Sequence, residues 1–278
     1  MAVRSLSLPD DLGDRVVERL PRPAAAIVRR LRREDIFLLS AGLAFYALVS
    51  VVPFAILVLW VVSVIAGDDR VRDVAEQFGR LLPESLDAGT ALQRVGDLGA
   101  RLGLGALVLL VWPATAYGSG LSRAFERLCP GADRPAKGLR GRALALALVG
   151  VMPALVLGGL VASYAGTRLV GNGPVATILG GLLALAFGFV ASGAASAVIY
   201  KLFSPRPIGR RGLLAGAAVA GAAISVLSAA YAFFLQFGAD FENRYGTSGL
   251  AAIVLLEVWL FLANALLLVG YQVALETQ

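Results

Sequence analysis

Apolar residues along this chain do not alternate with polar ones. They come in long runs separated by short stretches rich in arginine, acid, glycine and proline. A helix needs about 20 mainly apolar residues to cross the hydrocarbon core of a bilayer. Six runs meet that length, at 36–66, 98–118, 143–165, 175–200, 212–236 and 249–273. They are too long for strands and lack period-two alternation. The pattern predicts an all-α integral membrane protein with six transmembrane helices over residues 36–278, preceded by a basic amphipathic segment, 1–35.

The stretches between runs carry helical patterns of their own. In DDLGDRVVERL, Leu12, Val16 and Leu20 share one face, and Pro21 and Pro23 end the pattern. AAAIVRRLRRED then sets Ile27, Val28 and Leu31 beside four arginines, a composition suited to lying on anionic lipid or simply to fixing topology. Residues 1–35 contain no apolar core of the kind that marks a cleavable signal. Between the first two runs, VRDVAEQFGRLLPESL places Val71, Val74, Phe78 and Leu81 on one side, Pro83 interrupts, and a second short helix fits 87–96. This predicts an extracytoplasmic helical hairpin over 67–97.

Composition strengthens the membrane reading. The chain is 58% hydrophobic and 16% charged, with far fewer charges than the quarter usual in soluble domains. Its basic balance, net +6, could suggest nucleic acid, but no nucleic-acid-binding motif accompanies it and the arginines sit beside apolar runs. Their distribution is asymmetric. The N-terminal segment, the 123–142 loop and the 201–211 loop are arginine-rich, whereas the opposite side holds Asp68, Asp69, Asp73, Glu76, Glu84, Asp87, Asp240 and Glu242. The positive-inside rule then puts both termini in the cytoplasm of a multi-pass protein of a bacterial cytoplasmic membrane. Anionic membrane lipid at that face is the expected partner.

The residue inventory narrows the chemistry. Histidine is absent and Cys129 is alone, so imidazole catalysis, a Cys/His zinc site and an intrachain disulfide are excluded. No metalloprotease, nucleophile-elbow or phosphate-loop motif occurs, so no enzyme, cofactor or metal is expected.

Polar residues inside the runs are the candidates for function. In AGLAFYALVSVVPF, Gly42, Tyr46, Ser50 and Pro53 recur at i, i+4, i+8 and i+11, one stripe of a helix. Pro53 frees a carbonyl near residue 49, which in lipid must find an internal donor, and Ser50 or a neighbouring helix could supply one. The stripe reads either as the lining of a pathway or as a kinked packing face. In the last run, Glu257, Asn264 and Gln272 share roughly one face, either a polar track for a proton or substrate or a set of interhelical hydrogen bonds. Pro113 and Pro153 suggest further bent helices. Gly180, Gly181, Gly188, Gly193, Ala197, Gly212, Gly216 and Gly221 predict close helix packing.

Several of these segments together resemble the YihY/virulence factor BrkB family of bacterial inner-membrane proteins. The resemblance rests on Ala41, Ala44-Phe45-Tyr46, Ser50 and Pro53, on LLPE at 81–84, on the Trp112 to Leu121 region, on Tyr245-Gly246-Thr247, and on the closing WLFLANALLLVGYQVALE. It covers about residues 30 to 276. It implies a six-helix membrane fold and a transport-like role, including envelope lipid traffic. It departs where the family carries a glutamate two residues beyond the last motif's glycine. Here Gln272 follows Gly270 at that spacing, while Glu257 stands where the family is usually apolar. The family's older ribonuclease label fits poorly with a chain that has no histidine. The expected function is therefore a transporter or lipid translocase, with a non-transporting scaffold or partner-binding protein as the alternative. An intramembrane enzyme would need a carboxylate pair, or a nucleophile and a base, converging in space.

Overall fold

The structure, a computed structural model, describes residues 36–66, 104–129, 143–144, 174–237 and 248–277. Among the described residues all regular structure is helical. In chain order the helices are α1 (Ile36–Ala66), α2 (Leu104–Ala114), α3 (Ala116–Leu128), α4 (Pro174–Phe203), α5 (Arg210–Phe237) and α6 (Ser248–Glu276). The helices α1, α4, α5 and α6 each keep within three residues of an apolar run. Three of them contain stretches long and apolar enough to cross a membrane: Gly180–Phe203, Arg210–Phe234 and Ile253–Glu276. The expected hairpin over 67–97, the segment 1–35 and nearly all of the run at 143–165, Pro153 included, lie outside the described residues.

The second run departs from expectation. Its helix does not end at 118. It breaks at Thr115 and continues as α3 to Leu128. The last ten residues, SGLSRAFERL, are amphipathic, so hydropathy alone does not register them as helix. The break is set by Pro113, whose ring cannot donate to the carbonyl one turn back. Thr115 turns inward and its hydroxyl donates to the carbonyls of Val111 (2.7 Å) and Trp112 (3.2 Å), the first of which also accepts the Thr115 amide.

Packing runs as a chain of neighbours. α5 lies against both α4 and α6, α6 also against α1, α1 against α2 and α3, and α3 touches α4. Small residues make the closest approaches. A Cβ on Gly216 would meet the Gly270 carbonyl and, at 2.6 Å, the Ala274 side chain, and a Cβ on Gly221 would sit 2.8 Å from Gly193. Gly193, Gly216 and Gly221 thus sit at helix crossings, Gly216 against α6, whereas Gly181, expected to pack closely, meets nothing within 4 Å. Without hydrophobic drive between helices in lipid, such backbone proximity is what holds them together.

The best-packed core lies at one end of the bundle. Ile36 at the start of α1, Leu128 at the end of α3, Phe203 at the end of α4 and Ala274 near the end of α6 all belong to it. Its centre is aromatic. Phe125 and Tyr271 stack with ring centroids 4.1 Å apart and planes 6° from parallel, and Tyr200 leans on both. Each buried phenol is satisfied. Tyr200 donates to the Leu267 carbonyl (2.7 Å), and the Tyr271 hydroxyl lies 2.9 Å from Ser204 Oγ, which donates to the Arg206 carbonyl (2.6 Å). Arg123, Arg127, Lys201, Arg206, Arg210 and Arg211 all belong to this end. The outer faces present large apolar side chains such as Phe37, Leu109, Trp112, Leu214 and Phe233. Water would not tolerate so extensive an apolar surface, but hydrocarbon does.

Candidate functional site

The stripe on α1 is graded from open to closed. Gly42 is exposed, and a Cβ there would meet nothing within 4 Å. Tyr46, one turn on, is half-buried, and its ring covers Gly120 of α3 so closely that a Cβ on Gly120 would lie 2.8 Å from it. Ser50 is buried, and Pro53 is half-buried inside the helix.

Ser50 does not repair its own helix. Its hydroxyl donates to the Pro113 carbonyl at 2.8 Å and accepts the Tyr117 amide at 3.1 Å. In an unbroken helix that amide and that carbonyl would bond each other directly. The α1 hydroxyl has been inserted between them, so of the two donors expected for the carbonyl freed by Pro53, Ser50 or a neighbouring helix, Ser50 is ruled out. The donor is used on the neighbouring proline break, where both exposed backbone groups can be satisfied at once. Tyr117 extends the connection. Its phenol donates to Asn264 Oδ1 (2.7 Å), and Asn264 Nδ2 donates back to the Leu260 carbonyl of its own helix (2.8 Å). One polar relay therefore ties α1, the α2–α3 break and α6 together.

The other two polar residues of α6 do not join this relay. Glu257 is half-buried, and its Oε2 is closed off with no hydrogen-bond partner among the described residues. Gln272 is fully buried, and both its amide atoms lack a partner among the described residues. The polar track read from the sequence is thus one bonded residue, Asn264, with an unbonded group toward each end of the helix.

Beside the relay, between the start of α1 and the end of α3, lies a groove of about 570 Å3. Gly42 and Tyr46 line it together with Leu38, Leu39 and Leu43. Its far wall is α3, through Gly120, Arg123, Ala124, Glu126 and Arg127. The sequence marks Arg123 and Arg127 as topology charges, and Glu126-Arg127 as a departure from a family pattern that often has Asn before its Arg, but gives none of the three a place in a site. The available signal was the amphipathic pattern of SRAFERL, which returns charged residues to one place on a helix whose other face is buried.

A family model described as "Virulence factor BrkB" matches residues 27–278, nearly the whole chain. The chain belongs to the BrkB family. Curated relatives agree. The chain is 29% identical over 271 residues to a "UPF0761 membrane protein" of Chlorobium chlorochromatii, with 93% of this chain and 60% of the relative aligned. It is 26% identical to the protein of the same name from Chromohalobacter salexigens, over 96% of this chain and 65% of the relative. A third relative, from Pseudoalteromonas atlantica, is 24% identical over 87% of this chain and 81% of its own length. The chain thus spans less than two thirds of the length of the first two relatives. No solved structure gives a significant match. The BrkB match and the apolar helices together make this a membrane protein.

Proposed function

We propose that this BrkB-family chain is a transporter or lipid translocase of a bacterial cytoplasmic membrane, and that its substrate enters by the α1–α3 groove. One observation carries the reading: the polar stripe of α1 opens into a cleft whose near wall is apolar and whose far wall is charged. Such a cleft suits an amphiphile lying at the level of the headgroups. The arginine bias supports a cytoplasmic position for this end of the bundle, where residues 1–35 would add attraction for anionic lipid. A scaffold without transport would be expected to close its surface near Tyr46, and the groove weighs against that alternative.

Reconstitution into vesicles carrying a fluorescent phospholipid tests the proposal, with transbilayer movement followed by chemical quenching from one side. Gly42→Trp puts an indole into the groove from a position where an added Cβ meets nothing within 4 Å. Its translocation rate is expected to fall to that of protein-free vesicles while the thermal midpoint is unchanged. Wild type no faster than protein-free vesicles, or Gly42→Trp as fast as wild type, would reject it.

A further inference from the structure

Three charged side chains converge on the groove and none of them pairs with another. Arg123 and Arg127 stand one turn apart on α3, both exposed. Glu126 lies between them in sequence, three residues after Arg123, and lines the same groove. At that spacing opposite charges on a helix ordinarily meet. Among the described residues none of the three makes an ion pair or a side-chain hydrogen bond, and Glu126 Oε1 is closed off from solvent as well. A carboxylate oxygen withdrawn from water without a donor is costly, so its natural complement is a hydrogen-bonding cation.

We propose that the groove binds the headgroup of a zwitterionic aminophospholipid. Arg123 and Arg127 would grip the phosphate, since guanidinium presents its N–H groups in a fork matched to phosphate oxygens. Glu126 takes the primary ammonium. Leu38, Leu39 and Leu43 take the start of the acyl chains. The volume, about 570 Å3, lies within the range of small-ligand sites, about 300–1,000 Å3. The charge arrangement discriminates among lipids. A glycerol headgroup brings the phosphate but offers Glu126 no cation. A choline headgroup brings a cation without an N–H to donate. This assignment rests on reading the groove as the place where lipid enters, and it names the class of lipid.

The test is native mass spectrometry of the full chain, released from micelles holding equal amounts of phosphatidylethanolamine, phosphatidylcholine and phosphatidylglycerol. Retention of the ethanolamine lipid is expected to exceed that of either other lipid by about tenfold. Glu126→Gln should erase the preference over phosphatidylcholine while phospholipid is still retained. Arg123→Gln with Arg127→Gln should abolish retention of all three. Equal retention of the three lipids, a preference for phosphatidylglycerol, or a preference that survives Glu126→Gln would overturn the assignment. So would retention of no lipid, the outcome if residues 1–35 or a partner helix fill the groove. Quenching assays on the same samples separate the two claims. Selective retention without translocation rejects the transport function and leaves the site. Translocation without selectivity does the reverse.

Discussion

The hydroxyl of Ser50 stands 2.8 Å from the Pro113 carbonyl and substitutes, from another helix, for the backbone bond that the proline break removed. The same oxygen receives the Tyr117 amide, so a single side chain satisfies two backbone groups in a setting without water. Helix breaks at membrane depth persist where neighbouring groups do this, and the tertiary partner is as necessary as the proline.

Ser50→Ala leaves that carbonyl and amide facing each other across a gap. The expected loss of stability is about 1–3 kcal/mol, the cost of a buried polar group left unmet. In a Pro113→Ala background α2 and α3 can close their own ladder, so the serine should matter much less there. Thermal unfolding of the four proteins in detergent gives the coupling. A Ser50→Ala penalty of equal size in both backgrounds would show that the hydroxyl is not serving the break.

Tyr117→Phe removes the donor to Asn264 Oδ1 but leaves the ring in place. Interhelical hydrogen bonds in membranes are worth about 0.6 kcal/mol on average and reach about 1.7 kcal/mol. A double-mutant cycle of Tyr117→Phe with Asn264→Ala should return a coupling in that range. A coupling indistinguishable from zero would mean that α3 and α6 are not joined through this pair.

Glycine substitutions should separate by position on the helices. Gly216→Ala pushes a methyl into Gly270 and Ala274 and should destabilise by about 1–3 kcal/mol, as overpacking does. Gly181→Ala meets nothing within 4 Å, so it should leave the unfolding temperature unchanged or raise it, alanine being the better helix former. The reverse order would refute the placement of the α5–α6 crossing.

Gln272 carries a fully buried amide that makes no hydrogen bond among the described residues. Replacing it by methionine of similar length should therefore hold or increase stability, because an unmet polar group is removed. A large drop in unfolding temperature would reveal a partner. Stability retained together with lost lipid translocation would place the glutamine in the transport pathway.

The apolar runs made α1, α4, α5 and α6 legible, since twenty-odd residues with at most one charge, Glu257 in α6, admit few alternatives. α3 was not legible as a continuation of α2. Arg123, Glu126 and Arg127 dilute its hydropathy, and the apolar side chains that bury it, Leu121, Phe125 and Leu128, repeat at helical spacing within a window too short to weigh. The importance of Ser50 could be read from its neighbours in sequence, but its true partner is 63 residues away. Only packing shows which proline it serves. The groove likewise requires α1 and α3 to be brought together, which no local pattern specifies. Asn264 carried a readable signal as a polar residue in an apolar run. The aromatic stack of Phe125 and Tyr271 did not, because both rings pass as ordinary core.

That stack bears on which seams of the molecule can yield. Two rings lying face to face can slip sideways while keeping most of their overlap, whereas backbones interlocked at Gly216 and Gly270 must separate before they can shift. α4, α5 and α6 are therefore locked where their backbones touch, whereas α3 is held to its neighbours through side chains: the Phe125–Tyr271 stack, the Tyr117–Asn264 hydrogen bond and the ring of Tyr46 over Gly120.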